Sequence, residues 1–245
     1  MIEQQIDIAT RDGATTTFIT HPERGGPHPV ILFYMDAPAI REELRDMARR
    51  LASVGYYVVL PNLYYRSGVM ELGALSPDPA SPVRKQMMDL MATLTIPMIM
   101  EDTRALLAHV ANDPAASPGP VGAVGYCMSG QFAINAAVEF PDRVTAAASI
   151  YGVRLLTEAP DSPHLAGWKT KAELYFACAE IDSWAPLEIL PPLREALAAS
   201  GVTAEVEVYP GVHHGFAFPH RPAYDRDAAE RHWERLFALF RRRLG

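Results

Sequence analysis

Pro120-Val121-Gly122-Ala123-Val124-Gly125-Tyr126-Cys127-Met128-Ser129-Gly130-Gln131-Phe132 is the segment on which the reading of this chain turns. Its first half is an apolar strand that runs into Gly125. Small and apolar residues follow in helical order: Ala133, Ile134, Ala136 and Ala137. A reactive residue between such a strand and such a helix occupies a sharp turn, the nucleophile elbow. The turn brings two backbones together, so the residues beside the nucleophile must be small, and Gly125, Ser129 and Gly130 are. Most cysteines are simply small buried hydrophobes. The flanking glycines and the strand–turn–helix setting favour the reactive reading for Cys127. Its thiol would face the positive end of the following helix, which favours thiolate.

Outward from this segment, strand-like and helix-like stretches alternate. Extended runs are expected at Thr15–Thr20, Val30–Met35, Tyr56–Leu60, Val121–Tyr126, Val144–Tyr151, Glu173–Ala177 and Ala204–Tyr209. Val30-Ile31-Leu32-Phe33-Tyr34-Met35 is apolar without interruption, as a strand covered on both faces requires. Ile40, Leu44, Met47, Ala48 and Leu51 keep helical spacing, as do Trp233, Phe237, Phe240 and Leu244. The alternation predicts an α/β fold, a mostly parallel sheet with helices on both faces. Nothing divides the chain, so residues 1–245 are read as a single domain. The proline cluster Ser76–Pro82 reads as a loop before a Met-rich helical stretch, Met87–Met100, broken at Pro97. The methionines are read as core packing. Arg241-Arg242-Arg243 complements a helix C-terminus.

Composition removes several function classes. Hydrophobic residues at 49% and charged residues at 21% are ordinary globular values and exclude disorder, collagen and coiled coil. A net charge of −7 argues against nucleic acid, where basic patches supply the affinity. Two cysteines build neither a disulfide framework nor a four-thiolate zinc site. No apolar run is long enough to cross a bilayer. Met1-Ile2-Glu3-Gln4-Gln5-Ile6-Asp7 has no basic start or apolar stretch, so no secretory signal is expected, and the location expected is the cytoplasm.

An elbow nucleophile needs a base and an orienting acid, which follow it in the order nucleophile, acid, histidine. The loop after the strand ending at Ala177 offers Asp182, with Glu180 as competitor in the same loop. The loop after Val208-Tyr209 offers His213 and His214, either of which has the chemistry of a general base. Adjacent histidines also suit a metal, but no second ligand motif accompanies them, and no metal is expected. The intervals leave room for one β–α unit between successive members.

These motifs together resemble the dienelactone hydrolase family, within the α/β-hydrolase fold, from about Val30 to the last helix. Gly125-Tyr126-Cys127-Met128-Ser129-Gly130 resembles the family's Gly-x-Cys-x-Gly-Gly elbow, with Ser129 replacing the first glycine of the final pair. Phe176–Pro186 resembles the segment that bears the family's aspartate and selects Asp182. His214-Gly215-Phe216 resembles the histidine segment and selects His214. Leu60-Pro61-Asn62-Leu63-Tyr64 resembles a stretch that usually carries aspartate at Asn62, and Tyr151-Gly152 is also family-like.

The resemblance implies that Asp36 takes the place of the family's glutamate, which contacts and activates the cysteine. It also implies an oxyanion hole from the backbone N–H groups of Ala37 and Met128. Pro38 has no N–H to give. The implied activity is hydrolysis of a small-molecule ester, lactone or thioester by Cys127, His214 and Asp182, without a cofactor. The family grips a substrate carboxylate with arginines, one of them four residues after the histidine, where this chain has Phe218. Arg84 is the nearest candidate for the other, and Arg221 is a possible substitute. A neutral, more apolar substrate is therefore expected, against Tyr64, Trp184 and Phe218. Asp36, Ser129 and the aromatic Trp184 leave open a catalytically weak member that binds a ligand. A redox thiol is disfavoured, because Cys178 falls in a buried strand.

Overall fold

The computed structural model describes residues 1–73, 78, 80–158, 162, 164 and 169–245. Ser76, Pro77 and Pro79 of the proline cluster lie outside the described residues. The chain divides into two compact units, Met1–Pro118 and Gly119–Gly245.

The first unit contains β1 (Ile2–Thr10), β2 (Gly13–His21), β3 (His28–Tyr34) and β4 (Tyr57–Pro61), ordered β1-β2-β4-β3. β1 pairs antiparallel with β2, and β2 with β4, whereas β3 and β4 are parallel. The apolar run Val30–Tyr34 is fully buried, as its unbroken hydrophobicity requires. Helix α1 (Glu42–Ser53) buries Leu44, Met47, Ala48 and Leu51 and packs on β2 and β4. β1 is absent from the sequence reading. Thr10 pairs with Gly13 across the two-residue turn Arg11-Asp12.

The Met-rich stretch is two helices, α2 (Pro82–Thr93) and α3 (Ile96–Val110). The expected break at Pro97 is corrected to Leu94–Thr95. Thr95 caps α3 by accepting from the Met98 N–H, and Pro97 sits in the first turn, where its missing N–H costs nothing. Met87, Met91 and Met100 are buried.

The second unit orders its strands β5-β6-β7-β8, all parallel: β5 (Ala116–Tyr126), β6 (Val144–Ile150), β7 (Glu173–Ile181) and β8 (Ala204–His213). Helix α4 (Gly130–Glu139) packs on β6, and α6 (Arg226–Leu244) on β6 and β7. Helix α5 (Leu190–Ser200) connects β7 to β8. Parallel pairing places the C-terminal ends of β5, β7 and β8 along one edge, where ligands of open α/β sheets are held. Cys127, Asp182 and His214 follow those three ends.

Candidate active site

At the end of β5 the chain folds into a single 3-10 turn, Cys127–Ser129, before α4 begins at Gly130. Cys127 adopts φ +54°, left-handed backbone that an L residue occupies only under constraint. Gly125 makes the turn possible: a Cβ there would lie 2.0 Å from the Ser129 carbonyl oxygen. Gly130 is equally confined, since its Cβ would stand 2.6 Å from the Cα of Gly152. Cys127 is partly exposed, three residues before a helix N-terminus. Cys178 is buried in β7, and burial pushes its thiol up to about 12.

Asp182 and His214 meet across the ends of β7 and β8. Nδ1 of His214 and Oδ2 of Asp182 are 2.7 Å apart. The other carboxylate oxygen accepts the backbone N–H groups of Trp184 and Ala185, at 2.8 and 3.0 Å. Burial works against the ionised carboxyl, but the histidine and these two N–H groups hold it below the usual range. His214 follows the same logic in reverse. Burial opposes its charge, yet the Asp182 hydrogen bond and the Cys127 thiol push the ring up to about 10. Its buried Nε2 has no hydrogen-bond partner among the described residues.

The rejected competitors have other places. Glu180 turns its carboxylate to the Gly211 N–H, 2.6 Å away. His213 is exposed at the end of β8, paired in register with Ile181.

Asp36 and Ala37 lie in the first unit, directly after β3. Asp36 is 2% exposed, and both its oxygens accept from Arg41, at 2.5 and 3.2 Å. Arg41 also reaches the buried Glu43 at 2.8 Å, and these acids hold its guanidinium above its ordinary value despite burial. Sequence reading missed Arg41. An arginine five residues after a buried acid was the signal available. The Ala37 carbonyl accepts from the Tyr64 hydroxyl at 2.9 Å, and Tyr64 is itself placed by Asn62, whose Oδ1 accepts its backbone N–H.

The expected pocket walls separate. Tyr64 and Phe218 are each 1% exposed. Phe218 packs on Tyr126 with ring centroids 5.3 Å apart, and the Arg221 guanidinium lies 5.8 Å from its ring. Trp184 is 45% exposed, its ring centroid 6.4 Å from that of His214. Arg84 occupies the first turn of α2. Met128 is buried, and its carbonyl accepts from the Gln131 amide at 3.0 Å. Among the described residues, no group of three or more His, Cys, Asp or Glu side chains is placed to hold a metal, and no helix is long and apolar enough to cross a membrane.

This chain is similar to a Methylorubrum extorquens protein provisionally named carboxymethylenebutenolidase, 27% identical over 98% of this chain and 81% of that one. A protein of the same provisional name from Escherichia coli strain K12 is 28% identical over 88% of this chain and 78% of its own. Among solved structures, a Klebsiella pneumoniae protein provisionally described as a dienelactone hydrolase superimposes with a TM-score of 0.86. It covers 98% of both chains at 23% identity, so its fold is this chain's fold. The sequence profile of the dienelactone hydrolase family matches residues 15–244. This chain therefore belongs to the dienelactone hydrolase family and is a hydrolase of the α/β-hydrolase fold.

Proposed function

We propose that this protein cleaves a neutral ester, lactone or thioester with an apolar acyl group, with Cys127 as nucleophile, His214 as general acid–base and Asp182 as its orienting acid. The observation that carries the reading is the 2.7 Å pair of Asp182 and His214, whose ring the Cys127 thiol also influences. The Cys127 thiolate attacks the carbonyl carbon, and the carbonyl electron pair moves to oxygen. The backbone N–H of Met128, directly after the nucleophile, stabilises that oxyanion. Collapse expels the leaving group, which takes the proton held by His214, and leaves a thioester on Cys127. His214 then draws a proton from water, which attacks the thioester and restores the thiol. Asp182 fixes the ring tautomer throughout.

The preference for a neutral substrate rests on Phe218, four residues after His214. An aromatic ring offers none of the charge-assisted bonds of an arginine–carboxylate clamp. A buried carboxylate would then lose hydration with little return. The half-exposed Trp184 is the aromatic surface beside His214 for the acyl group. We further propose that residues 1–245 act as one α/β-hydrolase domain in the cytoplasm, on small molecules and not on nucleic acid or membrane. The unbroken family match over 15–244 supports the first part.

A panel of lactones, aryl esters and thioesters assayed with wild type and Cys127→Ala tests the reaction. A burst of product from an activated aryl ester, lost in the variant, is the expected result. Within the panel, a carboxylated lactone and its neutral methyl ester test the preference. A higher kcat/KM for the carboxylated member would overturn it.

A further inference from the structure

The short segment after β6 touches Cys127, His214 and the strand that leads to Asp182. Tyr151 donates its backbone N–H to the Ala177 carbonyl of β7 at 2.7 Å, five residues before Asp182. Val153 donates its N–H to the carbonyl of Cys127 itself, at 3.1 Å. Between them, Gly152 lies against Gly130 and Ser149 so closely that a Cβ would meet the Ser149 Oγ at 2.0 Å. The third contact is a side chain: the Tyr151 ring packs against the His214 ring, centroids 4.9 Å apart and planes inclined at 57°.

Tyr151 reaches this place at a cost. It adopts φ +37°, and Arg154 follows at φ +57°. Positive φ in a bulky residue is rare and persists only where the surroundings impose it, as at functional sites. The ring is 1% exposed and cannot leave, because Phe216 abuts it edge-on at 5.2 Å and Phe218 at 6.1 Å.

We propose that Tyr151 is a positioning residue for the hydrolytic reaction, its ring holding His214 between Asp182 and Cys127 and favouring the charged imidazolium. The proposal rests on the catalytic reading above. An aromatic face attracts a cation within about 6 Å of its centroid, and the attraction strengthens when both partners are dry. The ionisable groups that act on the ring are the Asp182 carboxylate, from the loop after β7, and the Cys127 thiol, from the elbow. Trp184 stands farther off, with centroids 6.4 Å apart, and is itself half exposed. Tyr151 is therefore the buried aromatic neighbour of a ring hydrogen-bonded to a carboxylate. Loss of its ring should release both the ring's orientation and part of its hold on the proton.

The test uses the full chain with isotope-labelled histidine, following the His214 ring by NMR across pH and assigning it with His214→Gln. Tyr151→Leu should lower the titration midpoint by about half a unit to one unit, a roughly 3- to 10-fold change in proton affinity. Tyr151→Phe, which keeps the ring, should hold the wild-type midpoint. The alkaline limb of kcat/KM on a p-nitrophenyl ester should move with the midpoint, while KM changes less than kcat. Should Tyr151→Leu fail to fold, phenylalanine analogues of rising fluorination at 151 replace it. They keep the ring's size, weaken its negative face, and should lower the midpoint stepwise. An unmoved midpoint in Tyr151→Leu, a flat fluorine series, or a turnover loss without any shift of the limb overturns the proposal. Turnover surviving in Cys127→Ala would instead remove the catalytic reading, and the NMR midpoint would still decide the ring contact.

Discussion

The Cα of Gly125 faces the carbonyl of Ser129 across the elbow, with room for hydrogen and nothing larger: a Cβ would stop 2.0 Å from the oxygen. The obstacle is backbone and cannot swing aside. Gly125→Ala should cost about 3 kcal/mol of stability or more, at the upper end of overpacking effects, and should abolish alkylation of Cys127. Chemical denaturation with thiol mass mapping measures both. A variant of wild-type stability with a normally reactive Cys127 would show that the elbow opens freely.

The two cysteines should differ sharply in reactivity. Limiting iodoacetamide at neutral pH is expected to label Cys127 and leave Cys178, which is buried and pushed up to about 12. Peptide mass spectrometry reads the ratio. Predominant label on Cys178 would refute the assignment of the nucleophile.

Neighbouring histidines should behave differently too. His214→Ala is expected to lower turnover on the order of 10²-fold or more, the scale of general acid–base catalysis. His213 is exposed, so His213→Ala should stay close to wild type. Equal losses at the two positions would leave the choice of base without support.

The raised His214 ring makes stability depend on pH. Its ordinary value is 6.5 and its value in the fold about 10, so its proton stabilises the folded chain fully below pH 6.5. That contribution fades as pH climbs through about 10. Asp182, held below its ordinary 3.8, contributes above that value and loses its contribution as pH falls through its folded value. Thermal scans of wild type and His214→Gln should show a gap that narrows from pH 6.5 upward. A gap that widens with alkali would contradict the sign.

Arg41 should prove structurally important although no motif marks it. Arg41→Ala would strand the Asp36 and Glu43 carboxylates, 2% and 5% exposed, without their shared cation. Breaking a buried pair on one side costs on the order of 3 kcal/mol. Urea melts would reveal it. The double variant Arg41→Ala with Asp36→Asn should recover part of the loss, because one stranded charge is gone.

Much of this molecule was legible because the informative signals are local. The run Val30–Tyr34 had to be a strand buried on both faces, and Gly125 and Gly130 announced a tight turn whatever lay around them. The order Cys127, Asp182, His214 could be read because each follows an apolar strand. What escaped depended on contacts distant in sequence or on competition between equals. β1 alternates weakly and borrows its stability from β2. Composition could not separate Glu180 from Asp182; the choice came from family resemblance, and in the structure Glu180 turns to Gly211. Sequence alone does not tell how deeply Phe218 and Tyr64 are buried, because aromatics serve pockets and cores alike. Tyr151 was quoted only as part of a family-like dipeptide, since no sequence pattern reports a positive φ.

The loop after β7 differs from the elbow in one respect that bears on divergence. Around Gly125, Gly130 and Gly152 every added atom meets backbone or the buried Ser149, so drift there is closed. Ile181 and Trp184, on either side of Asp182, are 49% and 45% exposed. Substitutions at those two positions alter the apolar rim while the backbone hold on Asp182 stays intact. Changes that retune the surface beside Asp182 should therefore be tolerated first at 181 and 184, and least at Gly125, Gly130 and Gly152.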